Sequence, residues 1–93
     1  MSILHEHVRN IMPRLESLRP IAYQEFLSEY EQIVASKNTD DERIERLFDH
    51  IWCFIDYEEY HALYWKLINY VETFDRGLGA YYRRIEEVHF EGY

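Results

Sequence analysis

The sequence predicts an all-α protein, a small antiparallel bundle of four main helices plus a short C-terminal helix. Three observations predict it. Apolar residues recur at spacings of three and four through most of the 93 residues, the period of one helix face. Three Gly and two Pro are too few turn formers for a many-stranded β fold. Only short connections separate the apolar stripes, so neighbouring helices are expected to pack antiparallel. A chain of 93 residues supplies one core and not two. Residues 1–93 are therefore read as a single helical domain whose last few residues fray.

The first helix starts at Ser2, a good N-cap. Leu4, Val8, Ile11, Leu15 and Leu18 form its narrow apolar seam. Pro13 lies off that seam and is expected to kink or split the helix, because it lacks an amide donor and clashes one turn back. Pro20 fits the first position of a second helix. Tyr23, Phe26, Leu27, Tyr30, Ile33 and Val34 form the buried face of that helix, and Lys37 and Asn38 end it. Thr39-Asp40-Asp41-Glu42 reads as a capping box. It opens a third helix with Ile44, Leu47, Phe48, Ile51, Phe54 and Ile55 on one face. Asp56-Tyr57-Glu58-Glu59 reads as a second cap with Asp56 as the capping residue. Tyr60, Leu63, Tyr64, Leu67, Ile68, Val71 and Phe74 are the stripe of the fourth helix. Gly77 and Gly79 stop or bend it. Leu78, Tyr81, Tyr82, Ile85 and Val88 then suggest the short last helix.

The formal net charge is -8. That opposes sequence-independent nucleic-acid binding and docking on anionic membrane, both of which need Lys and Arg. It favours a basic partner. Cys53 is the only cysteine, so neither an intramolecular disulfide nor a cysteine zinc cluster can form. The N-terminus lacks the form of a signal peptide and no apolar run suits a bilayer span, which leads to an expected cytoplasmic location.

The segment 48–74 holds more aromatic and acidic side chains than a small core requires. Helical period accounts for Phe48, Phe54, Tyr60, Tyr64 and Phe74 as core. Trp52 falls at the edge of its stripe, with Glu45, Asp49 and Asp56 as neighbours at helical spacing. Trp65 falls outside its stripe beside Glu58 and Glu72, and Tyr57 lies at the junction. Trp52, Tyr57 and Trp65 are read as aromatic anchors. Glu45, Asp49, Asp56, Glu58 and Glu59 are read as the acids that steer a basic protein partner and mimic phosphate charge. The competing interpretation is that edge tryptophans simply widen a small core.

Glu58/His61 and Glu86/His89 are Glu-x-x-His pairs, the spacing a carboxylate-bridged di-iron bundle uses. Glutamate is frequent enough for such pairs to arise by chance and the last helix looks short, so no metal and no cofactor are expected. His5 and His7 diverge on a helix. Neither a G-x-S-x-G elbow, a Gly-rich phosphate loop nor an H-E-x-x-H run occurs.

The segment Arg84-Ile85-Glu86-Glu87-Val88-His89 resembles the arginine-x4–6-histidine motif of HEPN domains, helical ribonucleases often found as toxins or defence proteins. The resemblance implies a dimer in which Arg84 and His89 of both chains stabilise and protonate an RNA phosphate, chemistry suited to those groups. In general style, a short helical bundle of this length resembles bacteriocin immunity proteins. Size, charge and the lack of a catalytic template favour an interaction module over an enzyme. The expectation is an immunity or antitoxin-type inhibitor that occludes a basic partner such as a nuclease toxin. The HEPN-like ribonuclease and a structural homodimer are the alternatives.

Overall fold

The computed structural model describes the backbone of residues 2–91 and the side chains of residues 17–90. It holds four helices, α1 (Ser2–Ala35), α2 (Asp41–Trp52), α3 (Glu58–Glu72) and α4 (Arg76–Glu91), and among the described residues there is no strand. The protein is all-α.

The expected break between two N-terminal helices does not occur. α1 is one helix of 34 residues that runs through Pro13 and Pro20. Proline's φ is helical, so the cost is the missing amide donor and the ring's clash one turn back. Pro20 is exposed, which lets water reach the carbonyl that has lost its partner. The side chains of Leu4, Val8, Ile11 and Leu15 lie outside the described residues.

α1 ends in a Schellman motif. The Asn38 amide donates to the Ile33 carbonyl (2.9 Å) and the Lys37 amide to the Val34 carbonyl (3.1 Å). Lys37 takes the left-handed position at φ 53, where glycine is usual. α2 starts one residue later than the capping box suggests. Asp40 is its N-cap, its carboxylate accepting from the Glu42 amide, and Asn38 accepts from the Asp40 amide. Asp56 does not cap α3. The N-cap there is Tyr57, without a side-chain hydrogen bond.

The C-terminal helix is 16 residues long, rather than short. Gly77 and Gly79 lie within it and neither has a positive φ. The stop comes earlier, at Thr73-Phe74-Asp75, and Asp75 caps α4 by accepting from the Leu78 amide (3.0 Å). Gly79 instead permits close approach, since a Cβ there would lie 2.4 Å from Glu72 Cγ on α3.

α3 touches all three other helices. Tyr60, Leu63, Tyr64, Leu67, Ile68 and Val71 of α3 are buried, which is why its apolar face is broad. Ile44, Leu47, Phe48 and Ile51 of α2 close over it, and buried Phe54 and Ile55 follow from turns after α2 rather than from the helix. α4 adds Tyr82. Phe74, Val34, Tyr81 and Val88, placed on buried faces by period, are exposed. They sit at stripe edges or helix ends left uncovered among the described residues. Along α3 from His61 to Glu72, the α4 partners run back from Phe90 through Tyr82 to Gly79.

Candidate functional site

α2 sorts its charges by edge. Arg43, Arg46 and His50 face α1, where Arg43 Nε donates to Glu29 (2.6 Å) and Phe26 stacks on the His50 ring at 5.7 Å. The Arg43 hydrogen bond holds the Glu29 carboxyl below its usual range. The other edge carries Asp41, Glu45 and Asp49, all exposed. They repeat at intervals of four, so their like charges stack along one line and repel. Among the described residues no ion pair engages them. Three glutamates elsewhere do pair with arginines: Glu29 with Arg43, Glu59 with Arg19 and Glu72 with Arg83. Those three arginines are engaged by glutamates, and the α2 acids have no ion-pair partner among the described residues.

Beside this acidic edge lies a hollow of about 190 Å³, lined by Phe48, Asp49, Trp52, Tyr64, Tyr82 and Ile85. Its floor is a ring stack: Phe48 lies flat on Tyr82 at 3.8 Å and meets the edge of Tyr64 at 5.1 Å. The Tyr64 hydroxyl donates to the Tyr82 carbonyl (3.2 Å), locking α3 to α4 beneath the hollow. Trp52 leans on Tyr64 at 5.6 Å. Burial first, then the charges of Glu45 and Asp49, push the Tyr82 hydroxyl well above its ordinary value. Tyr64 is raised by burial, with Tyr82, Glu86 and Asp49 adding to it. The carboxylates are thus close enough for their field to reach the floor.

From Trp52 a ribbon of rings crosses to α4 and returns to α3. Trp52 meets His89 edge-on at 4.9 Å, His89 meets Phe90 at 4.8 Å, and Phe90 stacks on His61 at 4.7 Å. The Trp65 indole N–H points at His61 Nε2 from 3.1 Å, and the Arg83 guanidinium lies over the Trp65 ring at 4.8 Å. His61 Nε2 also lies 2.8 Å from a carboxylate oxygen of Glu86, which is only 7% exposed. One ring nitrogen carries either a proton or a lone pair, so Nε2 cannot donate to Glu86 and accept from Trp65 together. An ionised Glu86 demands the protonated Nε2.

The eight residues singled out as partner-binding do not form one cluster. Glu45, Asp49 and Trp52 share the α2 edge, and Asp56 joins them through His89, its carboxylate 3.3 Å from the ring nitrogen. Tyr57 and Glu59 belong to a junction with α1: Arg19 donates twice to Glu59 (2.9 and 2.8 Å) and covers the Tyr57 ring at 4.0 Å. There Tyr60 donates to the Arg19 carbonyl, and burial followed by the Glu59 charge pushes its hydroxyl up to about 12. Glu58 is exposed, and Trp65 lies at the far end of the ribbon.

The Glu-x-x-His pairs are divided across helices: His61 meets Glu86, and His89 meets Asp56. Among the described residues no group of three His, Cys, Asp or Glu could hold a metal ion. Arg84 is exposed, and its five-residue separation from His89 turns the two about 140° apart around α4. Sequence reasoning missed Tyr82, Ile85 and Glu86 as parts of the site. The signal was present, because Glu86 follows Tyr82 by four and so falls on the apolar face of α4.

No family model, curated protein or solved structure matches the chain. Among the described residues no helix is long and apolar enough to cross a membrane.

Proposed function

We propose that the protein is a small cytoplasmic interaction module, an inhibitor of the immunity or antitoxin type. It covers a basic partner, such as a nuclease toxin, with the acidic edge of α2 and the hollow beside it. The supporting frame is an antiparallel bundle, for which the reversed order of contacts between α3 and α4 speaks. One observation carries the reading: Asp41, Glu45 and Asp49 keep a self-repelling line of charge on an exposed face, beside a ring-lined hollow. A partner's Arg or Lys would lay its stem against Trp52 and Ile85 and bring its charge to Asp49. Cation–π attraction and charge-assisted hydrogen bonding then act on one group. Relief of the repulsion along α2 adds to the gain. Such association is fast and weakens with salt.

The test uses a synthetic amphipathic helical peptide with Arg and Lys on one face, and a control with those positions neutral. Calorimetry at low salt should detect the basic peptide alone. In Trp52→Ala/Asp49→Lys, affinity should fall at least about thirtyfold, the loss expected of an interface anchor. Unchanged affinity in a folded double variant would sink the proposed face.

A further inference from the structure

α2 and α4 both lie against α3, yet among the described residues no Cα of one comes within 8 Å of a Cα of the other. Directly packed helices have axes about 8–10 Å apart, so a groove separates these two. Phe48 on Tyr82 and Trp52 on His89 bridge its floor.

The two walls of the groove differ. The α2 wall carries Asp41, Glu45 and Asp49, all exposed and without an ion-pair partner among the described residues. They recur every four residues over about 12 Å. The α4 wall is apolar. Ile85 lines the hollow, and Tyr81 and Val88 stand above it, 59% and 55% exposed. Both lie within about 60° of Ile85 around the helix, and the stripe runs for about 11 Å. The Tyr81 ring meets Tyr82 edge-on at 5.1 Å, which keeps it on the groove side of α4. Exposed Arg84 bounds the outer rim, so the basic residues of an occupant belong on the α2 side.

The form of the occupant follows from the walls. Both are helices, whose backbone groups pair within the helix, so neither offers an edge to an extended strand. A segment that enters an apolar groove must then satisfy its own backbone, as a helix does. Two copies of the groove set face to face would bring two acidic edges together, which disfavours a second copy.

We infer that the groove between α2 and α4 takes one amphipathic helix of the basic partner, about three turns long. Its apolar residues at i, i+4 and i+7 lie against Tyr81, Ile85 and Val88. Its Arg or Lys residues, four apart on the adjacent flank, meet Asp41, Glu45 and Asp49. This occupant presupposes the acidic edge as a docking surface, and α4 supplies the apolar half of the recognition.

Calorimetry of the full chain with three synthetic peptides of equal charge tests it. All carry Lys and Arg on one flank. The first has Leu at the three apolar positions, the second adds a central proline on its outer face, and the third has Gln in place of the Leu residues. The first should bind wild type at least about tenfold more tightly than the other two. Tyr81→Gln/Val88→Gln, folded by circular dichroism, should weaken the first about tenfold and leave the third unchanged. Equal affinity for the first and second peptides would overturn the inference. So would a folded α4 variant that binds the first as wild type does, or wild-type self-association that this variant abolishes, which would mean that a second copy covers the stripe. If Asp49→Lys still weakens all three peptides in those cases, the acidic face stands without the helical occupant. No binding of any basic peptide would overturn both.

Discussion

At Gly79 the approach of α4 to α3 depends on the absence of one carbon. A Cβ would come within 2.4 Å of Glu72 Cγ, and Glu72 pairs with Arg83, which covers Trp65. Gly79→Ala should therefore displace Glu72 and disturb that pair, leaving this variant about 1–3 kcal/mol less stable than the matching change at Gly77. Gly77 has only Asp75 Oδ1 nearby, at 3.5 Å, so Gly77→Ala should stabilise by up to about 1 kcal/mol through lower chain entropy. Paired urea melts of the two variants measure the difference, and equal effects would contradict the close approach. The sequence shows two glycines and suggests a helix end. What it does not show is which glycine faces a neighbour, because that depends on Glu72 of another helix. The same holds for Glu86: helical period puts it on the apolar face, but its partner His61 is distant in sequence.

Among the elements, α2 and α3 are the most legible, since their apolar stripes are dense and acids mark their first turns. Both start a residue later than the cap patterns suggest: before α2, Asn38 accepts from the Asp40 amide and Asp40 becomes the cap, and α3 follows Tyr57, which caps it without a side-chain hydrogen bond. α1 is where local rules mislead. Pro20 resembles a helix start, yet helix runs on both sides of it, and the continuity of the chain prevails over one missing donor. The end of α1 is more informative. Lys37 holds a left-handed conformation at φ 53, which costs a residue with a Cβ about 1–2 kcal/mol. Lys37→Gly should raise stability by about 1 kcal/mol, seen as a higher denaturant midpoint with unchanged slope. A loss of stability would mean that the Schellman turn after Ala35 is not formed.

Over the whole molecule, the net charge of -8 is distributed by pairing. Arg19, Arg43 and Arg83 each neutralise a glutamate where helices meet, and the acidic edge of α2 is left exposed. The all-α class follows from composition and period, before any contact is known. The site was legible only in part. Glu45, Asp49 and Trp52 lie on one helix and their spacing brings them together. Tyr57 and Glu59 are near them in sequence, but Arg19 engages them at a separate junction with α1. The walls of the hollow, Tyr64, Tyr82 and Ile85, come from two other helices and no local pattern joins them. Amide and indole chemical-shift mapping during titration with the basic peptide shows whether the acidic edge of α2 and its hollow bind that peptide. Shifts should concentrate at Glu45, Asp49, the Trp52 indole and Tyr82 and fade as salt rises. Shifts confined to the Arg43–His50 edge, or none at saturating peptide, would contradict that binding.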